Sequence, residues 1–533
     1  MSKDKFLKGA LILTVAGIIV KVIGSVNRIL LSRLLGGEGI GLYQMAYPIY
    51  LLALSISSAG IPVAISIMVA EKAALQDYKG ANRVFRISLS VMVVTGAVFS
   101  ALLYFGAGWL IENQYVRDPR AYYAIAALAP AIFFVTILAS YRGYFQGMQR
   151  MLPTGFSQIA EQLVRVVTMV AFAWYLLPRG LEYAAAGASF GAGPGAVAGL
   201  LVLLYFYWKY RADFQHKMDN QPLMKQESGA SIITRMVRLA LPVSLANIML
   251  PVVSNIDLLI VPPRLEVAGY TVEQATELFG YLTGMAVPLV NMATILTASL
   301  AASLVPSISE ANTLGEKAAI FDRTATAIRI ANLITIPAFV GMWLLATPIS
   351  TMLYATPNAG TSIAISAVGI FLLGIHQVTT GVLQGLGRTA IPVVNMVISA
   401  GVKVVLSWTL TALPAWGIKG AAWASIADFG VAALLNMFFV YRYIGFAMDW
   451  RDTLKTATAA AVMGLVTLGS YEVLFARGVG NTLSTLVAII IGGGVYAVVL
   501  LLVGSIGERE LLKLPAIGKP AVVILKKIHL LRR

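Results

Sequence analysis

Lys21 and Arg28 stand seven residues apart in a stretch that is otherwise glycine, valine, isoleucine, serine and asparagine. Thr14, Ser25 and Ser32 share their helical spacing, so one helix face carries two cations and three hydroxyls. Such a face binds an anion, supplied either by another helix, for instance by Glu38 or Asp257, or by a substrate. Glu161 and Arg165 lie four apart in the order that favours pairing within one helix, and read first as a self-neutralised pair. Lys403 has Ser399 where that glutamate would be, which leaves its charge less clearly paired. Arg142 either snorkels toward the nearer membrane surface or lines a cavity. Asp257 and His376 are isolated polar groups in apolar runs; the first reads as functional and the second as a satisfied core residue. With no cysteine and only His216, His376 and His529, thiol chemistry, disulfides and a histidine metal cluster are excluded.

The elements that position these residues follow from composition. Of 533 residues, 58% are hydrophobic and 12% charged, where a soluble domain has about 25% charged. This is a polytopic, all-α membrane protein, and each buried cation costs about 2.5–3.5 kcal/mol near the bilayer centre unless protein or water meets it. A span needs about 20 apolar residues, and fourteen such stretches are readable, from 9–34 and 42–70 through to 453–476 and 482–505. With the N-terminus inside, 28 of the 40 Lys and Arg fall on the cytoplasmic side and seven outside, so both termini are expected to be cytoplasmic in a bacterial plasma membrane. The same asymmetry accounts for the net charge of +16 without nucleic acid.

Shifting the chain by 238 residues aligns Tyr141–Val167 with Thr379–Val405 without a gap. Gly143, Gln146, Gly147 and Arg150 meet Gly381, Gln384, Gly385 and Arg388, and Arg165 meets Lys403. Six spans separate the copies, so the halves run parallel, an arrangement of secondary transporters. The expected organisation is an N-terminal lobe over 1–210, a cytoplasmic linker over 211–231, a C-terminal lobe over 232–445, two appended spans over 446–507, and a basic tail over 508–533 lying on anionic inner-leaflet lipids. The glycine-rich run at 187–199 lacks the Lys-Ser/Thr ending of a phosphate loop.

The segments "GSVNRILLSRLLG", "GIGLYQMAYPIYLLALSISSAGIPVAISIMVAEKAA", "YRGYFQGMQRMLPTGFSQIAEQLVRV" and "NIDLLIVPPRL" resemble the polysaccharide-exporter branch of the multidrug/oligosaccharidyl-lipid/polysaccharide flippase superfamily. Within it the chain is similar to the group of sporulation stage V proteins and Gram-positive lipid II flippases. The resemblance spans essentially all fourteen stretches. It implies two six-helix lobes in a MATE-like arrangement plus two further helices, no enzymatic activity, and flipping of an undecaprenyl-pyrophosphate-linked saccharide, foremost lipid II, by a monomer with no resident cofactor. Arg28 matches the cavity arginine of span 1, so the expected substrate residues are Arg28, Lys21, Arg142, Arg165 and Lys403. Asp257, with Asn395 as partner, resembles a coupling-ion site. The second acid of that site is missing from span 11, which leaves sodium, protons or membrane potential open as the driving force. Another lipid-linked repeat unit is the alternative cargo. A drug or cation antiporter would want acidic residues where this chain has five intramembrane cations. A membrane glycosyltransferase would want acidic catalytic loops, and the external loops are short, with no Asp-x-Asp pair.

Overall fold

A computed structural model describes residues 3–58, 60–221 and 226–504, and every regular element among them is helical. The basic tail over 508–533 lies outside the described residues. Helices pack into two compact units, Met1–Glu266 with Tyr270–Gly280, and Val267–Gly269 with Tyr281–Arg533. Unit 1 holds α1 (Lys3–Ser58), α2 (Ile61–Ala74), α3 (Tyr78–Glu112), α4 (Ala121–Gly147), α5 (Met151–Leu176), α6 (Leu181–Phe190), α7 (Ala192–Lys209), α8 (Arg211–Asp219), α9 (Gly229–Val267) and α10 (Val272–Phe279). Unit 2 holds α11 (Val287–Ala293), α12 (Ile295–Thr313), α13 (Lys317–Leu344), α14 (Ala346–Tyr354), α15 (Gly360–Gly385), α16 (Ala390–Leu410), α17 (Ile418–Ile444), α18 (Trp450–Ala476) and α19 (Asn481–Leu502).

Twelve stretches among the described residues are long and apolar enough to cross a membrane, and a pair bent by 50°, Val272–Ala293 with Ile295–Thr313, makes a thirteenth. The 63-residue stretch Ile12–Ala74 is counted once, yet it holds the two spans expected at 9–34 and 42–70. Gly36, at φ 67° and ψ −170°, breaks α1 in a conformation open essentially to glycine alone. The proof of a sharp bend is that Arg28 and Gln44 touch at 3.0 Å, although sixteen residues of straight helix would separate them by about 24 Å. The span expected at 42–70 is itself interrupted where α1 ends at Ser58 and α2 starts at Ile61 with Pro62 in its first turn.

The repeat is built from the same contacts twice. A β-carbon at Gly143 would lie 2.6 Å from the Pro62 carbonyl oxygen, and one at Gly147 would lie 2.7 Å from that of Ser66. In unit 2, a β-carbon at Gly381 would lie 2.7 Å from the Ala301 oxygen, and one at Gly385 2.9 Å from that of Val305. Two glycine notches thus let α4 press on α2 and α15 press on α12. Both cassettes then end in one C-cap geometry: Arg150 N–H donates to Phe145 O and Arg388 N–H to Leu383 O, with Gln149 and Gly387 at positive φ. Arg150 lies 3.9 Å over the Tyr210 ring and Arg388 5.1 Å over that of Tyr443. We expect Gly143→Leu and Gly381→Leu each to destabilise their own unit by about 1–3 kcal/mol through overpacking, read as a lower unfolding temperature in detergent; no change in either would contradict the notch.

The segment expected to be a linker is tied to unit 1. Phe214 of α8 is buried against Tyr144 and Tyr210, Asp213 pairs with Arg150, and the Lys79 N–H donates to Gln221 at 2.8 Å. Unit 1 also continues past that segment. A seam holds α9 and α10 to it: Arg235 pairs with Glu71, the Gly60 N–H donates to Ser244 at 3.0 Å, Asn255 donates to Pro48 O at 2.8 Å, Arg117 lies 3.6 Å from Glu266, and Thr276 donates to Asp118 at 2.9 Å. The sequence repeat therefore starts its second half at α9, while packing counts α9 with the first.

Candidate functional site

The 26 residues of α5 span about 39 Å, and Glu161 and Arg165 straddle their middle. Arg165 pairs with Glu161 along the helix, as its spacing predicts. Arg142 does not snorkel: it turns from α4 to reach Glu161 at 2.8 Å and Ser157 at 2.9 Å. One carboxylate is thus shared by two guanidiniums, all three side chains being 13–18% exposed. The glycine-rich run makes this fit possible. A β-carbon at Gly195 would come within 2.7 Å of the Arg165 β-carbon, and one at Gly199 within 3.1 Å of the Glu161 β-carbon, so α7 lies directly on the charged face of α5.

α1 packs along the same helix, with Gly24 against Gln162 and Asn27 donating to the Met169 sulfur at 3.4 Å. The bend at Gly36 returns Tyr43, Gln44 and Tyr47 to Arg28, whose guanidinium donates to Gln44 and lies 6.0 and 5.7 Å from the two tyrosine ring centres. Tyr43 and Tyr47 stack with centroids 5.4 Å apart. The Gly24–Gln162 and Asn27–Met169 contacts bracket Arg165 along α5, which brings the Arg28 and Arg165 clusters to one level of the α1–α5 pair. Glu38 is not the acid that neutralises Arg28, because Arg120 holds it at 2.6 Å. Arg28, Arg142 and Arg165 against Glu161 leave an excess of two positive charges. Guanidinium forks of this kind suit phosphate and carboxylate oxygens.

Lys21 is exposed, about 10.5 Å along α1 from Arg28, and is not drawn into the cluster. Asp257 belongs to α9 in unit 1. Asn395 belongs to unit 2, where its side-chain amide donates to Asn436 at 2.8 Å. Lys403 is buried in α16. Arg142, Ser157, Glu161 and Arg165 correspond, at the shift of 238, to Thr380, Asn395, Ser399 and Lys403, so each unit has its own polar slot at the same place. The acid facing the second slot is Asp428 of α17, which accepts from Ser399 at 2.6 Å. Asp428 is not among the expected site residues, although an acid in the middle of an apolar span is the same signal that marks Asp257. Gln44 is likewise visible as a partner of Arg28 only once the bend at Gly36 is known. Among the described residues no three His, Asp or Glu side chains gather as a metal site.

The profile of the polysaccharide biosynthesis protein family matches residues 6–312, and the MatE profile matches residues 242–409. The "Stage V sporulation protein B" of Bacillus subtilis (strain 168) is 30% identical over 519 residues, covering 97% of this chain and 99% of that one. The "Lipid II flippase MurJ" of the same strain is 28% identical over 481 residues, covering 87% and 88%. Among solved structures, the lipid II flippase MurJ in an inward closed conformation superimposes with a TM-score of 0.69 at 15% identity, over 92% of this chain and 98% of that one. An inward-facing MATE multidrug transporter gives 0.66 at 16%, over 82% and 98%.

Proposed function

The chain belongs to the polysaccharide biosynthesis protein family of the multidrug/oligosaccharidyl-lipid/polysaccharide flippase superfamily and is a multi-pass membrane transporter with a MATE-like fold; from that premise we propose that it carries a polyprenyl-pyrophosphate-linked saccharide, foremost lipid II, across the bacterial cytoplasmic membrane. Both termini lie on the cytoplasmic side in this reading, which the 28-to-7 distribution of Lys and Arg supports.

The observation that carries the proposal is the excess of two positive charges near the middle of unit 1. A pyrophosphate diester carries two negative charges, so its arrival makes the region neutral. Arg165 and Arg142, which share Glu161 in the resting arrangement, exchange part of that contact for phosphate oxygens, and Arg28 leaves Gln44 to do the same. Each arginine thus always has a partner, which keeps low the cost of uncovering a charge inside the membrane. The polyprenyl tail needs no polar path, because it stays in hydrocarbon while the headgroup crosses by alternating access.

Depletion of the protein in its host, followed by mass spectrometry of lipid-linked intermediates, tests the cargo. Accumulated lipid II is the expected result. Accumulation of a different lipid-linked repeat unit would assign the transporter to another polymer, and no accumulation of any such lipid would remove the proposal.

A further inference from the structure

Polar groups stand at two levels along the seam of α1 and α5, and pyrophosphate binding uses only one of them. The helices run parallel, with Ile12 meeting Gly155, Gly24 meeting Gln162 and Asn27 meeting Met169. That register puts Arg28 near the level of Arg165, and Lys21 near the level of Gln158 and Gln162. Seven residues separate Lys21 from Arg28 and Gln158 from Arg165, so the second level lies about 10.5 Å from the first, toward the start of both helices.

On α5, Gly155, Gln162 and Met169 recur every seven residues and face α1, while Glu161 and Arg165 face α7. Gln158, four residues before Gln162 and seven before Arg165, stands between these two faces. On α1, Gly17, Lys21, Gly24 and Arg28 share one face. A β-carbon at Gly24 would lie 3.3 Å from Gln162 Nε2, so the glycine lets that amide reach over α1. A β-carbon at Gly17 would meet nothing within 4 Å. Beside α1 the second level is therefore open, whereas the first is lined by Tyr43, Gln44 and Tyr47.

Gln158 and Gln162 are part-buried, and among the described residues neither has a hydrogen-bond partner. An amide inside a membrane span is costly unless something polar reaches it. The fold does not require the pair, since the equivalent positions in unit 2 are Met396 and Ala400. With Lys21 exposed at the same level, the open side is polar and not hydrocarbon. A carboxamide both donates and accepts, so two of them suit the hydroxyl and amide groups of a sugar, whereas a phosphate is better served by the three guanidiniums.

We propose that Gln158 and Gln162 form a saccharide subsite, which holds the sugar attached to the pyrophosphate through its hydroxyl and amide groups and selects among lipid-linked saccharides. The subsite rests on the pyrophosphate reading of Arg28, Arg142 and Arg165. To that reading it adds a direction: the headgroup lies along the α1–α5 seam, toward the start of both helices.

Two lipids test it on the full chain in detergent, with binding followed by native mass spectrometry: a polyprenyl pyrophosphate, and the same lipid carrying an N-acetylated disaccharide. The parent should prefer the glycosylated lipid. Gln158→Leu/Gln162→Leu should cut that preference by about 5- to 100-fold, each neutral hydrogen bond being worth about 2- to 12-fold. Leucine is at home in a membrane helix, so the unfolding temperature should hold. Gly17→Phe, which fills the open space and touches neither glutamine, should cut the same preference, and it decides alone if the double variant misfolds. Arg28→Glu should weaken both lipids alike. Equal weakening of both lipids by the double variant would put phosphate at this level and overturn the proposal, as would a parent with no preference or a preference that a folded double variant or Gly17→Phe leaves intact. A parent that binds neither lipid would remove the pyrophosphate reading itself, and the subsite with it.

Discussion

Reversing the charge at residue 28, with Arg28→Glu, should abolish translocation by the reconstituted protein, a loss of at least about 100-fold. Removing one member of a buried charge pair costs about 2–5 kcal/mol, or roughly 30- to several-thousand-fold in rate, and a reversed charge adds repulsion to that. The fold should survive. Arg28 rests on Gln44, Tyr43 and Tyr47 and not on a carboxylate, and the Gln44 amide can turn to donate to a glutamate. Thermal unfolding in detergent should therefore move little, which separates a binding defect from misfolding. Arg28→Lys keeps the charge but loses the planar fork, and should retain part of the activity. Transport at the unmutated rate by Arg28→Glu would remove Arg28 from the site.

Glu161→Gln should have the largest effect on stability, about 3–5 kcal/mol, because it leaves two guanidiniums with no counter-charge beneath α7. Unfolding temperature in detergent and yield from the membrane read this out. The double variant Glu161→Gln/Arg142→Gln should recover much of the loss, since the residues are in direct contact at 2.8 Å and their effects cannot add independently. If the single variant is as stable as the parent, Glu161 is not the shared acid of a buried network.

The duplication could be read from residue types because the contacts that repeat are made by glycines, and a glycine notch leaves a mark in sequence. Gly143 and Gly147 match Gly381 and Gly385 in position and in the helix that each admits. Arg165 with Glu161 was equally legible, as both lie on one helix. What could not be read was any partner from another helix. Nothing in the spacing around Arg142 says that it turns from the membrane surface toward Glu161, and nothing around Ser399 reveals Asp428, although Asp428 itself is in plain view. The bend at Gly36 hides among several glycines in "LLGGEGIG", and without it Gln44 has no reason to be associated with Arg28. Symmetry and packing group α9 differently: sequence symmetry assigns a helix by its order in the chain, whereas packing assigns it by where Ser244, Asn255 and Glu266 find donors and acceptors.

That capture of α9 has a consequence for how the chain is made. Residues 210–267 take about 3–12 s to emerge from a ribosome at 5–20 residues per second. Throughout that delay α1–α7 are already in the membrane, while Glu71, Asp118 and the Gly60 N–H still await Arg235, Thr276 and Ser244. The first lobe is thus inserted before it can be closed, and the protein passes through a dated window in which an insertase or chaperone has an open groove to hold. A nascent chain arrested near residue 250, with α7 out of the exit tunnel and α9 still within it, should display that groove, and one arrested some 40 residues beyond Gly280, far enough for α10 to have left the tunnel, should have sealed it.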